Sequence, residues 1–132
     1  MIGKVIYDVL TEDATVLGLV STRIYPSYAD TKATYPFITY DIVSNVPTVA
    51  KGTTSLVDMY RIQINCINTT YASVSTLSNA VRTALDGYSG VAESGYYEVI
   101  TTLFDGDNDL VHEEDVYGRA LDFRMKVKKI TG

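Results

Sequence analysis

Apolar and polar positions alternate along this chain with two different periods. From Ile2 to Val20 the apolar residues recur at helical spacing: Ile2, Val5, Ile6, Val9 and Leu10, then Val16, Leu17 and Val20. Positions three and four apart share one face of a helix, so the segment predicts amphipathic helix packed on a core. Thr11-Glu12-Asp13 breaks the run and supplies a fresh capping residue, dividing it into one helix and a shorter one. The same period returns in "TTYASVSTLSNAVRTALDG", where Tyr71, Val74, Leu77, Val81 and Leu85 form one stripe. Thr69 or Thr70 is placed to cap its start, and Gly87 to end it in a left-handed turn.

Elsewhere the period is two, the signature of strands with one face on a core. In "PFITYDIVS" Ile38, Tyr40 and Ile42 share a face. In "LVDMYRIQINCI" Tyr60, Ile62, Ile64 and Cys66 oppose Arg61, Gln63 and Asn65. In "YGRALDFRMKV" Leu121, Phe123, Met125 and Val127 oppose Asp122, Arg124 and Lys126. A fourth candidate, "YYEVITTLF", alternates less cleanly and suits a strand covered on both faces. The order is α-β-β-α-β-β. It predicts an α+β fold in one domain over residues 1–132, with a mostly antiparallel sheet of about four to five strands flanked by helices.

Pro26 and Pro36 bracket a polar loop. Two further loops, Asn45 to Ser55 and Asp105 to Asp115, are long for hairpin connections, and loops of that length often carry function. The first is small and polar. Asn45, Val46, Pro47, Lys51, Thr53 and Thr54 are its candidate residues for an arm that orders on a neighbouring molecule. The second is acidic, and Asp105, Asp107, Asp109, Glu113 and Glu114 are its candidates for a charged docking surface.

Composition narrows the classes. With 132 residues, 46% hydrophobic and 20% charged, the chain can bury one proper core. Its net charge of −5 argues against general nucleic-acid binding. The one basic stretch, "RMKVKK", alternates as the wet face of a strand does. No apolar run approaches the roughly 20 residues of a membrane helix, and the start has no secretory pattern, so synthesis inside the cell and no membrane contact are expected. Tyrosine is over-used, with 11 Tyr against 3 Phe and no Trp. That bias fits protein contacts and half-buried strands equally.

No catalytic pattern emerges. Counting Asp105 as the first position of a calcium loop puts Leu110 where a glycine is needed and Val116 where a bidentate glutamate is needed. The acidic stretch therefore reads as a hairpin turn with a charged surface. Cys66 lies on an apolar strand face while His112, the single histidine, lies in the acidic loop, so no thiol dyad is proposed. Gly87, Gly90 and Gly95 follow a helix, which is the wrong context for a phosphate cradle. Neither enzymatic activity nor any cofactor or metal is expected.

Taken in succession, "STRIYPSYADTKATYPFITYDIVS", "YRIQINCIN", "LSNAVRTALDG" and "GRALDFRMKV" resemble the tail completion, or tail-to-head joining, proteins of long-tailed phages. The resemblance runs from about Leu17 to Val127 and lies in the succession of segments rather than in one motif. It implies a structural virion protein, located at the head-proximal end of the tail and assembled in the host cytoplasm. Such proteins form a ring, commonly a hexamer, that closes the tail tube. The implied partners are further copies of the chain, the major tail tube protein and a head-completion or connector protein. DNA would pass through the lumen without specific binding. The family carries no catalytic residues. Another minor tail or head-completion role, and a non-enzymatic α+β binding module, are the alternatives.

Overall fold

The computed structural model describes residues 2–26, 34–47, 57–92, 97–113 and 116–129. In chain order the elements are α1 (Ile2–Glu12), α2 (Ala14–Val20), β1 (Ile24–Pro26), β2 (Phe37–Pro47), β3 (Val57–Asn68), α3 (Tyr71–Leu85), β4 (Gly90–Ala92), β5 (Tyr97–Glu113) and β6 (Val116–Lys129). The class is α+β as expected, but the strand count is not: among the described residues six strands form one sheet in the order β1-β2-β3-β6-β5-β4. The two additions, β1 and β4, have three residues each, too few to display alternation. β1 pairs parallel with β2, and the other pairings are antiparallel.

The helices begin and end where their capping residues dictate. Asp13 Oδ1 accepts from the N–H groups of Thr15 at 3.1 Å and Val16 at 3.0 Å, which starts α2 immediately after α1. Thr70 Oγ1 accepts from the Ser73 N–H at 3.2 Å and starts α3. At the other end Gly87, with φ +79°, turns the chain out of the helix, as its missing Cβ permits. Its N–H then donates to the Thr102 carbonyl at 2.7 Å, tying the helix end to β5.

One face of the sheet is covered by α1, α2 and α3. Val5, Ile6 and Leu10 of α1, Val16 and Val20 of α2, and Val74, Leu77, Val81 and Leu85 of α3 are buried against Ile38, Ile62, Ile64, Cys66, Leu121, Phe123 and Met125. These are the alternating positions identified for each strand. Burial of each large side chain stabilises the fold by about 1.5–3 kcal/mol. Tyr71 departs from the expected stripe of α3. It is 51% exposed, because at the first residue of the helix it overhangs the end of the sheet.

The other face is divided. At one end Phe37, Thr39, Asn65, Ile67 and Ala120 are buried, and the Asn65 amide donates to Thr39 Oγ1 at 3.1 Å and to Asp41 at 3.3 Å. At the other end the rows are wet. Arg61 stands opposite Arg124 and Met59 opposite Lys126. The fourth strand, expected to be covered on both faces, buries Val99 and Thr102 but leaves Ile100 and Leu103 exposed. A bulge at Ile100, between the Val99 and Thr101 register positions, blurs its alternation.

Candidate functional site

The acidic stretch is a strand rather than the predicted loop. β5 continues to Glu113 and β6 starts at Val116, with Asp107 opposite Leu121, Asn108 opposite Ala120 and Asp109 opposite Arg119. Turn-forming residues are accommodated there because β6 supplies a continuous backbone partner. Bulges near Asp105 and His112 absorb the irregular spacing.

The sheet sends the candidate carboxylates to different places. Asp105 reaches the face away from the helices, where its Oδ2 accepts from Arg124 Nε at 3.2 Å. Asp109 lies on the helix side and accepts twice: from Arg119 Nε at 3.1 Å and from the Tyr71 hydroxyl at 3.2 Å. Asp107 shares that side, is exposed, and has no partner among the described residues. The Glu113 backbone pairs with Val116, and Glu114 lies outside the described residues. The five candidates therefore do not converge on one point.

Around Asp109 a polar network binds the hairpin to the start of α3. Arg119 Nη2 donates to the Tyr71 hydroxyl at 3.0 Å and to Ser75 Oγ at 3.3 Å. Its guanidinium carbon lies 5.4 Å from the centre of the Tyr71 ring, and Tyr117 meets that ring edge-on at 6.3 Å. The Arg119 side chain is only 16% exposed. Burial works against its charge, but the bonds to Asp109 and Tyr71 outweigh it and hold the pKa above the ordinary arginine value. Two exposed tyrosines beside an arginine are the residue types that anchor protein interfaces. Sequence reasoning missed this cluster, because it depends on which β6 residue faces the first turn of α3.

The predicted arm is likewise strand at its start. Asn45, Val46 and Pro47 belong to β2, opposite Tyr60, Met59 and Asp58, while Lys51, Thr53 and Thr54 lie outside the described residues. The alternation of β3 extends outward and gives these residues a partner, so the connection starts later than their polar composition suggests.

Other chemistry finds little footing among the described residues. No group of three or more His, Cys, Asp or Glu is arranged to hold a metal there. Cys66 is buried, and that burial pushes its thiol up to about 12 despite the lowering influence of Ser78 and Arg119. A protonated, inaccessible thiol is a poor nucleophile. Between α2 and α3 a small open groove is lined by Asp13, Thr15, Thr76, Asn79, Ala80 and Thr83, short side chains without the large hydrophobic and aromatic residues typical of small-molecule sites. No helix in the described residues is long and apolar enough to cross a membrane.

Comparison with known proteins places this architecture. No curated protein matches the chain by sequence. Among solved structures, a chain from the "Virion of native gene transfer agent (GTA) particle" superposes with a TM-score of 0.79 at 19% identity. The match covers 96% of this chain and 93% of that one, so the whole fold is shared. The family described as tail completion protein gp17 matches residues 4–128. That span takes in nearly all of the helices and the sheet, and the chain belongs to this tail completion family, as a structural tail protein.

Proposed function

We propose that the chain closes the head-proximal end of a tail tube as a ring, commonly of six copies, and joins the tail to the head connector. The observation that carries this reading is the family match across residues 4–128. The surface supports it, since Val43 and Val46 expose apolar side chains close together on the edge strand β2. The neighbours in this reading are other copies of the chain, the major tail tube protein and a head-completion or connector protein. The segment beginning at Asn45 serves as an assembly contact. Asp105, Asp107, Asp109, Glu113 and Glu114 outnumber the two arginines that pair with Asp105 and Asp109, so this stretch of sequence is net negative, which keeps DNA phosphates from adhering during passage.

Solution mass by light scattering over a concentration series, with and without purified tail tubes, tests the ring. A multimer of about six copies, alone or on tube ends, is expected from a closing heterologous contact. A chain that stays monomeric and leaves the tube ends bare contradicts it.

A further inference from the structure

Among the described residues both edge strands of the sheet are half covered, and the covered halves lie at opposite ends. β1 pairs with Ile38, Thr39 and Tyr40 of β2, leaving Asp41 to Pro47 without an outer strand among the described residues. β4 pairs with Tyr97, Glu98 and Val99 of β5. Just beyond, the Thr102 carbonyl accepts from Gly87 and the Phe104 N–H donates to Asp86. Asp105 to Glu113 then runs without an outer strand among the described residues. The chain of antiparallel pairings β2-β3-β6-β5 makes β2 and β5 run in opposite directions.

We infer that the open half of β2 in one copy pairs antiparallel with the open half of β5 in the next, joining two sheets edge to edge. Deepening the ring reading above, the inference names the surface through which one copy meets another. The two open halves fit as a lap joint. When one copy is displaced along the strands so that these halves face each other, its β1 falls beyond Glu113 of the neighbour. The neighbour's β4 in turn falls beyond Pro47. Strand addition of this kind draws its stability from main-chain hydrogen bonds, and side chains set the choice of partner.

The side chains favour this partner over a second β5 edge. The β5 edge carries Asp105, Asp107 and Asp109, so two β5 edges brought together would set carboxylates against carboxylates. The β2 edge carries one carboxylate, Asp41, and presents Val43 at 54% and Val46 at 58% exposure. Edges are normally guarded by charge, bulges or proline; this stretch of β2 is bulged at Val43 and ends on Pro47 but carries little charge. A contact between unlike edges is heterologous, and such contacts generate rings when the rotation closes.

Paired cysteines test the joint. In the register that keeps the faces aligned, Val46 of one copy meets Asn108 or, two residues along, Leu110 of the next. Within one chain β3 and β6 separate these edges by about 14 Å laterally, far beyond disulfide reach. V46C/N108C and V46C/L110C proteins, oxidised with copper phenanthroline after concentration, are each run on non-reducing gels. The expected result is a ladder extending past dimer for at least one pair, while V46C, N108C and L110C alone stop at dimer. A multimer by light scattering that leaves both pairs uncross-linked overturns the joint while keeping the ring. A monomer at every concentration with no ladder overturns the joint as well, and the role at the tail end is then decided separately by the morphology of particles lacking the chain.

Discussion

Phe123→Ala is expected to destabilise the chain by about 3–5 kcal/mol, the range for removing a buried aromatic ring. Phe123 has no exposed surface, sits among Ile62, Leu121 and Met125, and meets Phe104 edge-on with ring centres 5.5 Å apart. It occupies the centre of β6, between β3 and β5, so no neighbouring strand end can collapse into the space left behind. For a chain of this size the loss corresponds to a melting temperature roughly 10–20 °C lower. Leu103→Ala is the control. Leu103 is 55% exposed on the opposite face, and its truncation should stay within about 0.5 kcal/mol. Thermal melts of the two variants decide the matter. Equal effects would mean that the two faces of β5 and β6 are assigned wrongly.

Arg119→Ala carries the second largest expected effect, about 1–3 kcal/mol. It removes three charge-assisted hydrogen bonds donated by a largely buried guanidinium. Asp109 is well exposed, so the ion pair itself contributes little, and most of the loss comes from the contacts with Tyr71 and Ser75. Arg119→Lys should recover only part of it, since an ammonium cannot bond Asp109, Tyr71 and Ser75 together. Tyr71→Phe deletes the hydroxyl that both donates to Asp109 and accepts from Arg119. The double variant should therefore cost less than the sum of the singles, with a coupling of about 0.5–1.5 kcal/mol in chemical denaturation. Strict additivity would show that the network does not act as a unit.

Much of the core is legible in the order of residues alone. Ile62, Ile64, Leu121, Phe123 and Met125 alternate so regularly that period assigns them to one face, and they are buried. The stripe Val74, Leu77, Val81 and Leu85 is equally plain, and Thr70 and Gly87 bound α3 as their chemistry requires. What escapes depends on pairing between distant segments. β1 and β4 are strands because β2 and β5 offer them edges, not because three residues have a period of their own. Asp105, Asp107 and Asp109 look like a turn in isolation, and Asn45 to Pro47 look like the start of a loop. Each becomes strand through the partner opposite: β6 in one case and β3 in the other. The candidate site suffers most from this, since a register decides which carboxylates face each other. Asp105 meets Arg124 and Asp109 meets Arg119, on opposite faces of the sheet.

The basic residues illustrate the same limit. Arg124, Lys126 and Lys128 read correctly as the wet side of a strand. Their juxtaposition with Arg61 is invisible in the sequence, because it arises from the antiparallel register of β3 against β6. Cross-strand like charges on an exposed face are unfavourable in an isolated chain, and a partner that brings negative charge relieves them. Asp105 offsets part of that cost by accepting from Arg124 Nε.

Particles made without this chain, imaged by electron microscopy before and after purified protein is added, test the central claim most directly. A ring that closes the tube and meets the connector predicts unjoined heads and tails, with tube lengths no longer uniform. Adding the protein should restore joined particles carrying a ring at the junction. Normal particles in the absence of the chain would contradict a role at the head-proximal tail end.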